Sequence, residues 1–227
     1  MKDLQSKVRK AFIDRFGAEP SVVIKAPGRI NLIGEHTDYN LGLVLPAAID
    51  RCIIFAFKPN NSCACRIHAL DVEEFVQIKL ENLEKGDQLW ANYLRGVLLQ
   101  FQERSLLLQG FDCVFAGTIP IGSGLSSSAA LDCGFIKGVS ELHVHNLTDW
   151  DVVTISNQSN NNFLDIQSGI LDQFSSVFGK KGQCMMMDCK TRDYNYHTLL
   201  LGDYSFVLIN TNVKHETLTS GYNDRPS

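Results

Sequence analysis

The stretch GTIPIGSGLSSSAALDCG, residues 117–134, joins a strand-like segment to an alanine-rich segment through a loop of glycines and serines. The residues before it, FDCVFAG, are typical of a strand, and the run AALDCGFIKGVSEL predicts a helix. Backbone N–H groups of such a loop and of a helix N-terminus can converge on an anion. The loop is therefore a candidate phosphate site, with an ordinary capped turn as the alternative. It is not a Walker A loop, because no Gly-Lys-Ser/Thr follows.

The segments around this loop predict a mixed α and β fold. Apolar residues at helical spacing predict helices at the N-terminus, over 89–104, from an N-cap at Thr148 to about Asn162, and around 170–178. Further segments predict strands, the first of which should end at Pro27-Gly28: SVVIKA (21–26), AIDRCIIFAF, CRIHAL, FVQIKL, QCMMMD, YHTLL and YSFVLIN.

The composition excludes several classes of partner. The chain has 227 residues and a formal net charge of −4, so we expect no broad basic face and no nucleic-acid partner. Its apolar runs are shorter than the roughly 18 to 20 residues of a membrane span, and its polar amphipathic start does not resemble a signal peptide, so we expect a cytoplasmic protein without a membrane partner. The seven cysteines match no zinc spacing and are expected to be free, mostly buried thiols rather than metal ligands or disulfides.

A second distinctive stretch is GRINLIGEHTDYNLG, residues 28–42, in which charged and titratable side chains surround the apolar segment INLI. A surface loop has no need of the apolar residues. A buried strand would not tolerate the charged ones unless a polar ligand were bound against them. The stretch therefore predicts a binding site, and solvated polar residues on an ordinary loop are the alternative.

Five segments together resemble the galactokinases and, more widely, the homoserine, mevalonate and phosphomevalonate kinases. They occur in the family order and cover essentially the whole chain: GRINLIGEHTDYNLGLVLPAAI (28–49), WANYLRGV (90–97), PIGSGLSSSAAL (120–131), SGILDQFSSVFGKKG (168–182) and INTNVKHETLTSGYNDR (209–225). The GEHTDYN form is the part specific to galactokinases. The resemblance implies phosphorylation of galactose at its C1 hydroxyl, with ATP and Mg2+ as cofactors, by a protein expected to act as a monomer.

The resemblance also implies an α+β fold. A ribosomal-protein-S5-domain-2-like N-terminal domain, residues 1–195, would contain a five-stranded sheet and bind sugar and ATP. Residues 196–227 would begin a ferredoxin-like C-terminal domain.

Carried over residue by residue, the family pattern implies a role for each site residue. Asp172 would act as the base and Arg29 as its partner and charge stabiliser. Galactose hydroxyls would be held by Glu35, His36, Asp38, Gly169 and Tyr222. The residues expected to bind ATP are Trp90, Gly122, Ser123, Gly124, Leu125, Ser126, Ser127 and Ser128. For Trp90, a place in the apolar core is an equal alternative to a contact with adenine. The metal ligands would be Ser128 and the residue at position 160.

Position 160 departs from the family pattern. Relatives place a glutamate twelve residues before the catalytic aspartate, and counting back from Asp172 gives Asn160. Its neutral amide oxygen can coordinate Mg2+, but hard cations prefer a carboxylate. Nearby, Asp165 stands where relatives have glycine, and Ser168 where they often have cysteine.

The length also departs from the family pattern, since galactokinases continue into a second domain with a third, glycine-rich motif. A non-catalytic galactose and nucleotide sensor, or an inactive truncated fragment, therefore remains as an alternative to the enzyme.

Overall fold

The structure is a computed structural model that describes residues 2–120 and 122–209. That part of the chain contains both helices and strands, as the sequence predicts, and the fold is α+β. The elements are α1 (Lys2–Phe16), β1 (Val22–Asn31), β2 (Leu43–Val44), β3 (Pro46–Pro59), β4 (Ala64–Ala69), β5 (Glu74–Lys79), α2 (Leu89–Glu103), β6 (Phe111–Gly117), α3 (Ser127–Leu142), α4 (Asp149–Gln158), a π-helical turn (Ser159–Phe163), α5 (Leu171–Phe178), β7 (Gln183–Asp188) and β8 (Tyr194–Thr198).

The central sheet has five strands in the order β1-β3-β6-β4-β5, which confirms the predicted five-stranded sheet. All neighbouring pairs are antiparallel except β4 and β6. Successive side chains of β3 point to opposite faces, as the strand period of two requires. Phe55 and Phe57 lie in the large core cluster with α2, α3 and α4, whereas Ile54 and Ala56 pack against α1 on the other face.

Helix α3 packs closely on this sheet because it presents two glycines to it. A Cβ atom at Gly134 would overlap the ring of Phe55, and one at Gly138 would overlap the ring of Phe57. The two phenylalanine rings are themselves stacked, with centroids 5.9 Å apart. This packing fixes the axis of α3, and therefore the place where the glycine and serine loop meets the helix N-terminus.

Strand β1 extends further than the sequence predicts. Pro27-Gly28 does not end it, because the strand continues to Asn31 with an irregularity in its register against β3 between Pro27 and Arg29. β1 is an edge strand, where a proline without an N–H group is tolerated. A Cβ at Gly28 would lie 2.8 Å from the carbonyl oxygen of Leu125, so only glycine lets the strand approach the phosphate-loop candidate this closely.

A second, three-stranded sheet was not predicted. It has the order β2-β7-β8, and the predicted domain boundary at residue 195 falls inside β8, so the division of the chain stays a prediction. The predicted strand YSFVLIN is not formed over residues 204–209, where the chain has no regular structure and exposes large apolar side chains. A strand needs a partner for its backbone groups, and no partner strand lies beside these residues in the part of the chain that the structure describes.

The predicted N-cap at Thr148 is confirmed. Its hydroxyl accepts the Asp151 N–H over 3.1 Å, and the Asp151 carboxylate accepts the Thr148 N–H over 2.8 Å, which together form a capping box. The α-helix ends at Gln158, earlier than predicted, and the π-helical turn continues it to Phe163. All seven cysteines are free, and only Cys63 is exposed. Within residues 2–120 and 122–209, no helix has the length and apolar character to cross a membrane.

Candidate active site

Arg29 links two of the predicted site segments. From β1, its Nε atom donates to Oδ1 of Asp172 over 2.7 Å, and its Nη2 atom lies 2.6 Å from the same oxygen. Its Nη1 atom donates to the carbonyl oxygen of Gly124 over 2.7 Å, and its backbone N–H donates to that of Leu125 over 3.2 Å. One guanidinium therefore holds the first turn of α5 beside the glycine and serine loop.

The GEHTDYN loop is held by polar contacts of its own residues. The Asn31 amide, in the orientation that satisfies both of its polar atoms, donates to the Ile33 carbonyl and accepts the Glu35 N–H. The Thr37 hydroxyl contacts the carbonyl oxygens of Gly34 and Leu43 at 3.0 and 2.6 Å.

The glycine and the titratable residues of this loop have distinct environments. Gly34 has a φ of 104°, which favours glycine. The side chains of Glu35 and His36 stay exposed, although Nδ1 of His36 forms a hydrogen bond of 2.7 Å with the Tyr39 hydroxyl. They remain accessible to a ligand.

Asp38 lies against the segment that precedes Asp172. Its Oδ1 atom accepts the Tyr39 N–H over 2.7 Å, and a Cβ at Gly169 would overlap its carboxylate. Burial raises the pKa of Asp38. The Tyr39 N–H lowers it, the charge of Asp172 raises it, and the Leu171 N–H and then Arg29 lower it again. The structure therefore brings together four of the predicted residues, namely Arg29, Asp38, Gly169 and Asp172.

The glycine and serine loop forms a tight turn into α3. Gly122, Gly124 and Ser126 have φ values of 71°, 73° and 58°, so the loop uses left-handed backbone three times before the helix begins at Ser127. The Ser123 hydroxyl donates to the Pro120 carbonyl over 2.7 Å. The buried Oγ of Ser126 has no hydrogen-bond partner among the described residues, and it does not cap the helix. The first N–H groups of α3 are therefore not satisfied by a side-chain cap at this position.

Asn160 lies in the π-helical turn and is buried beside Asp132 of α3. Its Oδ1 atom is buried and has no hydrogen-bond partner within residues 2–120 and 122–209. Burial raises the pKa of Asp132 well above its ordinary value, and the side chains of Ser156 and then Asn160 act in the opposite direction. Asp165 lies apart from this pair, is exposed, and contacts Lys85 over 2.7 Å.

The remaining predicted residues are placed as follows. Leu125, Ser127 and Ser128 are half-buried in the loop and in the first turn of α3. The indole N–H of Trp90 donates to Glu74 over 2.5 Å, and its ring packs edge-on against Phe115. Trp90 is half-buried against the core, so a contact with adenine stays a prediction. Tyr222 lies outside the described residues.

Sequence reasoning missed four residues at this site, which are Asn31, Asp132, Asn157 and Asn161. Asn31 stood within a quoted motif but carried no signal of its loop-forming role. Asp132 could have been found, because it is an acid in an otherwise apolar helix segment. Asn157 donates to the carbonyl oxygens of Ser168 and Gly169, but it belongs to a polar segment whose sequence predicts only an ordinary solvent-exposed helix face.

Comparison with known proteins is consistent with this arrangement. The galactokinase galactose-binding signature matches residues 10–59, which include Arg29 and the GEHTDYN loop. The GHMP kinases N terminal domain matches residues 92–180, which include the glycine and serine loop and Asp172. The fold and the two matched segments thus define a GHMP kinase domain.

Three similar proteins narrow the comparison within the GHMP kinases. Galactokinases of Clostridium perfringens (strain 13 / Type A) and Thermosipho africanus are 37% and 41% identical to the chain over 96% and 89% of its residues. The crystal structure of Lactococcus lactis galactokinase, complexed with galactose, matches with a TM-score of 0.81 and 32% identity, over 88% of this chain and 53% of that one. Over 89–96% of its residues the chain is similar to these galactokinases, and it matches their N-terminal part. It spans 57% and 56% of the lengths of the two curated relatives.

Proposed function

We propose that the chain provides the sugar- and ATP-binding part of a galactokinase. The reaction transfers the γ-phosphoryl group of ATP to the C1 hydroxyl of galactose and yields galactose 1-phosphate and ADP. One observation supports this most strongly. Arg29 bonds to Asp172 on one side and to the Gly124 carbonyl on the other. Phosphoryl transfer depends on positioning and charge stabilisation, and a cation shared by a carboxylate and a phosphate-loop candidate meets both needs.

In this proposal Asp172 accepts the proton of the C1 hydroxyl while the oxygen of that hydroxyl forms a bond to the γ-phosphorus. The bond from the γ-phosphorus to the bridging oxygen breaks, and ADP leaves with that electron pair. Arg29 keeps a positive charge beside the carboxylate and beside the charge of the transferred group. The side chain of Arg29 is only 16% exposed, so water screens this interaction less than it would screen a surface pair.

Galactose would be held by Glu35, His36 and Asp38, with Gly169 providing the close backbone approach. A pattern of charged and polar partners discriminates between epimers, because the wrong epimer leaves one of these partners unpaired. The half-buried carboxylate of Asp38 is the most discriminating element of this pattern, since an unpaired polar group costs more when it is partly removed from water than when it is fully exposed.

ATP would bind with its phosphates on residues 122–128 and the N-terminus of α3, where unsatisfied N–H groups and the helix dipole favour an anion. Mg2+, which the family implies, would be held by the Ser128 hydroxyl and by Oδ1 of Asn160. Both are hard oxygen ligands, and the buried Oδ1 without a hydrogen-bond partner is suited to such a contact. When bound, the ion would neutralise charge on the phosphates.

In this proposal the protein is a cytoplasmic monomer. A cytoplasmic location agrees with ATP as a co-substrate and with seven free cysteines. A monomer is the simplest assembly that this site requires, since the four clustered residues Arg29, Asp38, Gly169 and Asp172 come from one chain.

A non-catalytic galactose and nucleotide sensor is the second candidate, and the neutral Asn160 favours it. Calorimetry with galactose and glucose, followed by measurement of ADP release from ATP, Mg2+ and galactose, tests both. The kinase proposal predicts tighter binding of galactose than of glucose, together with ADP release that depends on galactose. Equal affinity for the two epimers would contradict the sugar assignment. Binding of both ligands without ADP release would support the sensor.

A further inference from the structure

Two asparagines hold the backbone segment that lies against Asp38. Nδ2 of Asn157, near the end of α4, donates to the carbonyl oxygens of Ser168 and Gly169 over 2.9 and 3.1 Å. Oδ1 of Asn161, in the π-helical turn, accepts the Ser168 N–H over 3.2 Å. Both backbone polar groups of Ser168 and the carbonyl group of Gly169 are therefore bonded to side chains of one helical segment.

The two side-chain amides also contact each other. Nδ2 of Asn161 donates to Oδ1 of Asn157 over 3.3 Å. Both polar atoms of each amide group thus have a partner, and reversing either amide would place like groups against each other. Asn157 and Asn161 therefore form one unit, which we call the asparagine pair.

The segment held by the asparagine pair contacts the predicted sugar site directly. A Cβ at Gly169 would overlap the Asp38 carboxylate, and the Leu171 N–H interacts with the same carboxylate. Asp172, the next residue, bonds to Arg29. A shift of this segment would therefore change the space and the hydrogen bonds available to Asp38.

The π-helical turn lies where one helical segment contacts both residues 168–169 and the buried Asp132 of α3. Asn157 and Asn161 are four residues apart and lie on the same side of the helix, facing Ser168. Asn160, between them in sequence, is instead buried beside Asp132 of α3. π-helical turns are often found at functional sites.

We propose that Asn157 and Asn161 are positioning residues for galactose binding, which act by holding residues 168–169 against Asp38. The inference rests on the proposed function. It goes beyond it by assigning the geometry of the sugar site to two residues that need not touch the sugar. A merely structural pair would anchor the loop and stabilise the fold without changing the affinity for the sugar.

The test compares Asn157→Leu, Asn161→Leu and the double variant with a matched control, Gln158→Leu. Gln158 is half-buried in the same helix, but its amide bonds to Arg104 and not to residues 168–169. Calorimetry of the whole chain with galactose should show affinity about tenfold weaker in each asparagine variant, the size expected for one or two lost hydrogen bonds. The double variant should be little weaker than either single variant, because the pair acts as a unit. The control should remain within about twofold of the parent.

A second measurement requires no ligand. Titration of the Asp38 carboxyl by NMR should show its raised pKa moving toward the ordinary value in Asn157→Leu, because a loosened segment admits water to that carboxyl. The charges of Asp172 and Arg29 also influence the pKa of Asp38, and Cys189 interacts with the Asp38 charge. All three residues are unchanged in this variant. If a leucine variant does not fold, Asn161→Asp replaces it, because it keeps the acceptor for Ser168 and replaces the donor to Asn157 with a charged acceptor.

The outcomes separate this inference from the proposed function. Unchanged galactose affinity and an unchanged Asp38 pKa, with only a lower melting temperature, would overturn the inference and leave the proposed function intact. If the parent does not bind galactose, the proposed function fails, and the role of the pair in sugar binding fails with it. An equal loss of affinity in Gln158→Leu would also overturn the inference, since the effect would then belong to the helix as a whole.

Discussion

Arg29 and Asp172 are 143 residues apart in sequence and share a charge-assisted hydrogen bond of 2.7 Å. Their elements are docked independently of this bond, because the Ser176 hydroxyl, one turn after Asp172 in α5, donates to the Pro27 carbonyl of β1 over 2.8 Å. The side chain of Asp172 is 35% exposed, so the carboxylate is oriented by Arg29 while part of it stays accessible. A base needs both properties.

The substitution Asp172→Asn is expected to lower turnover by about 10²- to 10⁴-fold, the usual range for the loss of a general base. Affinity for galactose should change far less, because the amide oxygen can still accept a hydrogen bond from Arg29. Steady-state assays of ADP release and calorimetry on the same preparations measure the two effects. Asp14→Asn, which changes an exposed acid of α1, is the matched control and should be unchanged. Turnover within a few-fold of the parent in Asp172→Asn would mean that Asp172 is not the base.

Galactose affinity is expected to depend on pH through Asp38. Burial raises the pKa of this carboxyl, and only its ionised form offers acceptors to all the sugar hydroxyls that face it. Affinity should therefore be complete well above the raised pKa and should fall as pH decreases through it, at a higher pH than an exposed aspartate would give. Burial raises the pKa of Cys189, which lies near Asp38, to about 11, so its thiol stays neutral.

Calorimetry with galactose between about pH 4 and pH 7 measures this dependence. Asp38→Asn should bind about 10- to 100-fold more weakly near neutral pH, the size of a lost charge-assisted hydrogen bond, and the fall in affinity that Asp38 causes at low pH should disappear. Retention of the pH dependence in Asp38→Asn would assign it to Glu35, His36 or Asp172 instead.

Gly138→Ala tests the packing that positions the glycine and serine loop. The added Cβ would overlap the buried ring of Phe57, so we expect a loss of about 1 to 3 kcal/mol in the free energy of unfolding. Urea denaturation measures it. Gly182→Ala is a useful comparison, because its added Cβ meets nothing within 4 Å and only its φ of 74° opposes the change. A smaller loss at Gly138 than at Gly182 would contradict the close packing of α3 on the sheet.

The local sequence predicted the elements well and their long-range contacts poorly. The N-cap at Thr148 and the helices α2 and α3 depend on nearby residues, and these were predicted. Strand β1 continued past Pro27-Gly28 because an edge strand tolerates proline, which depends on strand order and not on the local sequence. β2 contains only two residues and is too short to carry a periodic signal.

At the site, too, residues within recognised motifs were predicted, whereas a residue that acts through contacts with a later segment was missed. Arg29, Asp38, Gly169 and Asp172 were identified by resemblance, and the structure brings them together. Asn157 was missed because its function lies in contacts with a segment eleven and twelve residues later, and an isolated polar side chain carries no such information.

The last prediction concerns Asn160, at the position where the family resemblance implies a glutamate. If Oδ1 of Asn160 faces the metal, Asn160→Glu restores a charged hard-oxygen ligand opposite Ser128. ATP should then bind more tightly in the presence of Mg2+. In EDTA it should bind no better, and more weakly if the added carboxylate repels the triphosphate. Two pairs of nucleotide titrations, on the parent and on the variant, separate a metal effect from a general change in the fold.

The buried Asp132 makes this prediction more specific. Asn160→Glu places a second carboxyl beside one whose pKa is already raised by burial, and two buried acids without a cation repel each other. The variant should therefore melt at a lower temperature than the parent in EDTA, and Mg2+ with ATP should recover part of the difference. Adding Asp132→Asn should remove the loss in EDTA and keep the gain in Mg2+-dependent affinity. If the single and double variants both lack a magnesium-specific gain, position 160 does not face the nucleotide. A loss of Mg2+-dependent affinity in Asp165→Asn of the parent would then assign the metal to Asp165, which would have to leave Lys85 to bind it.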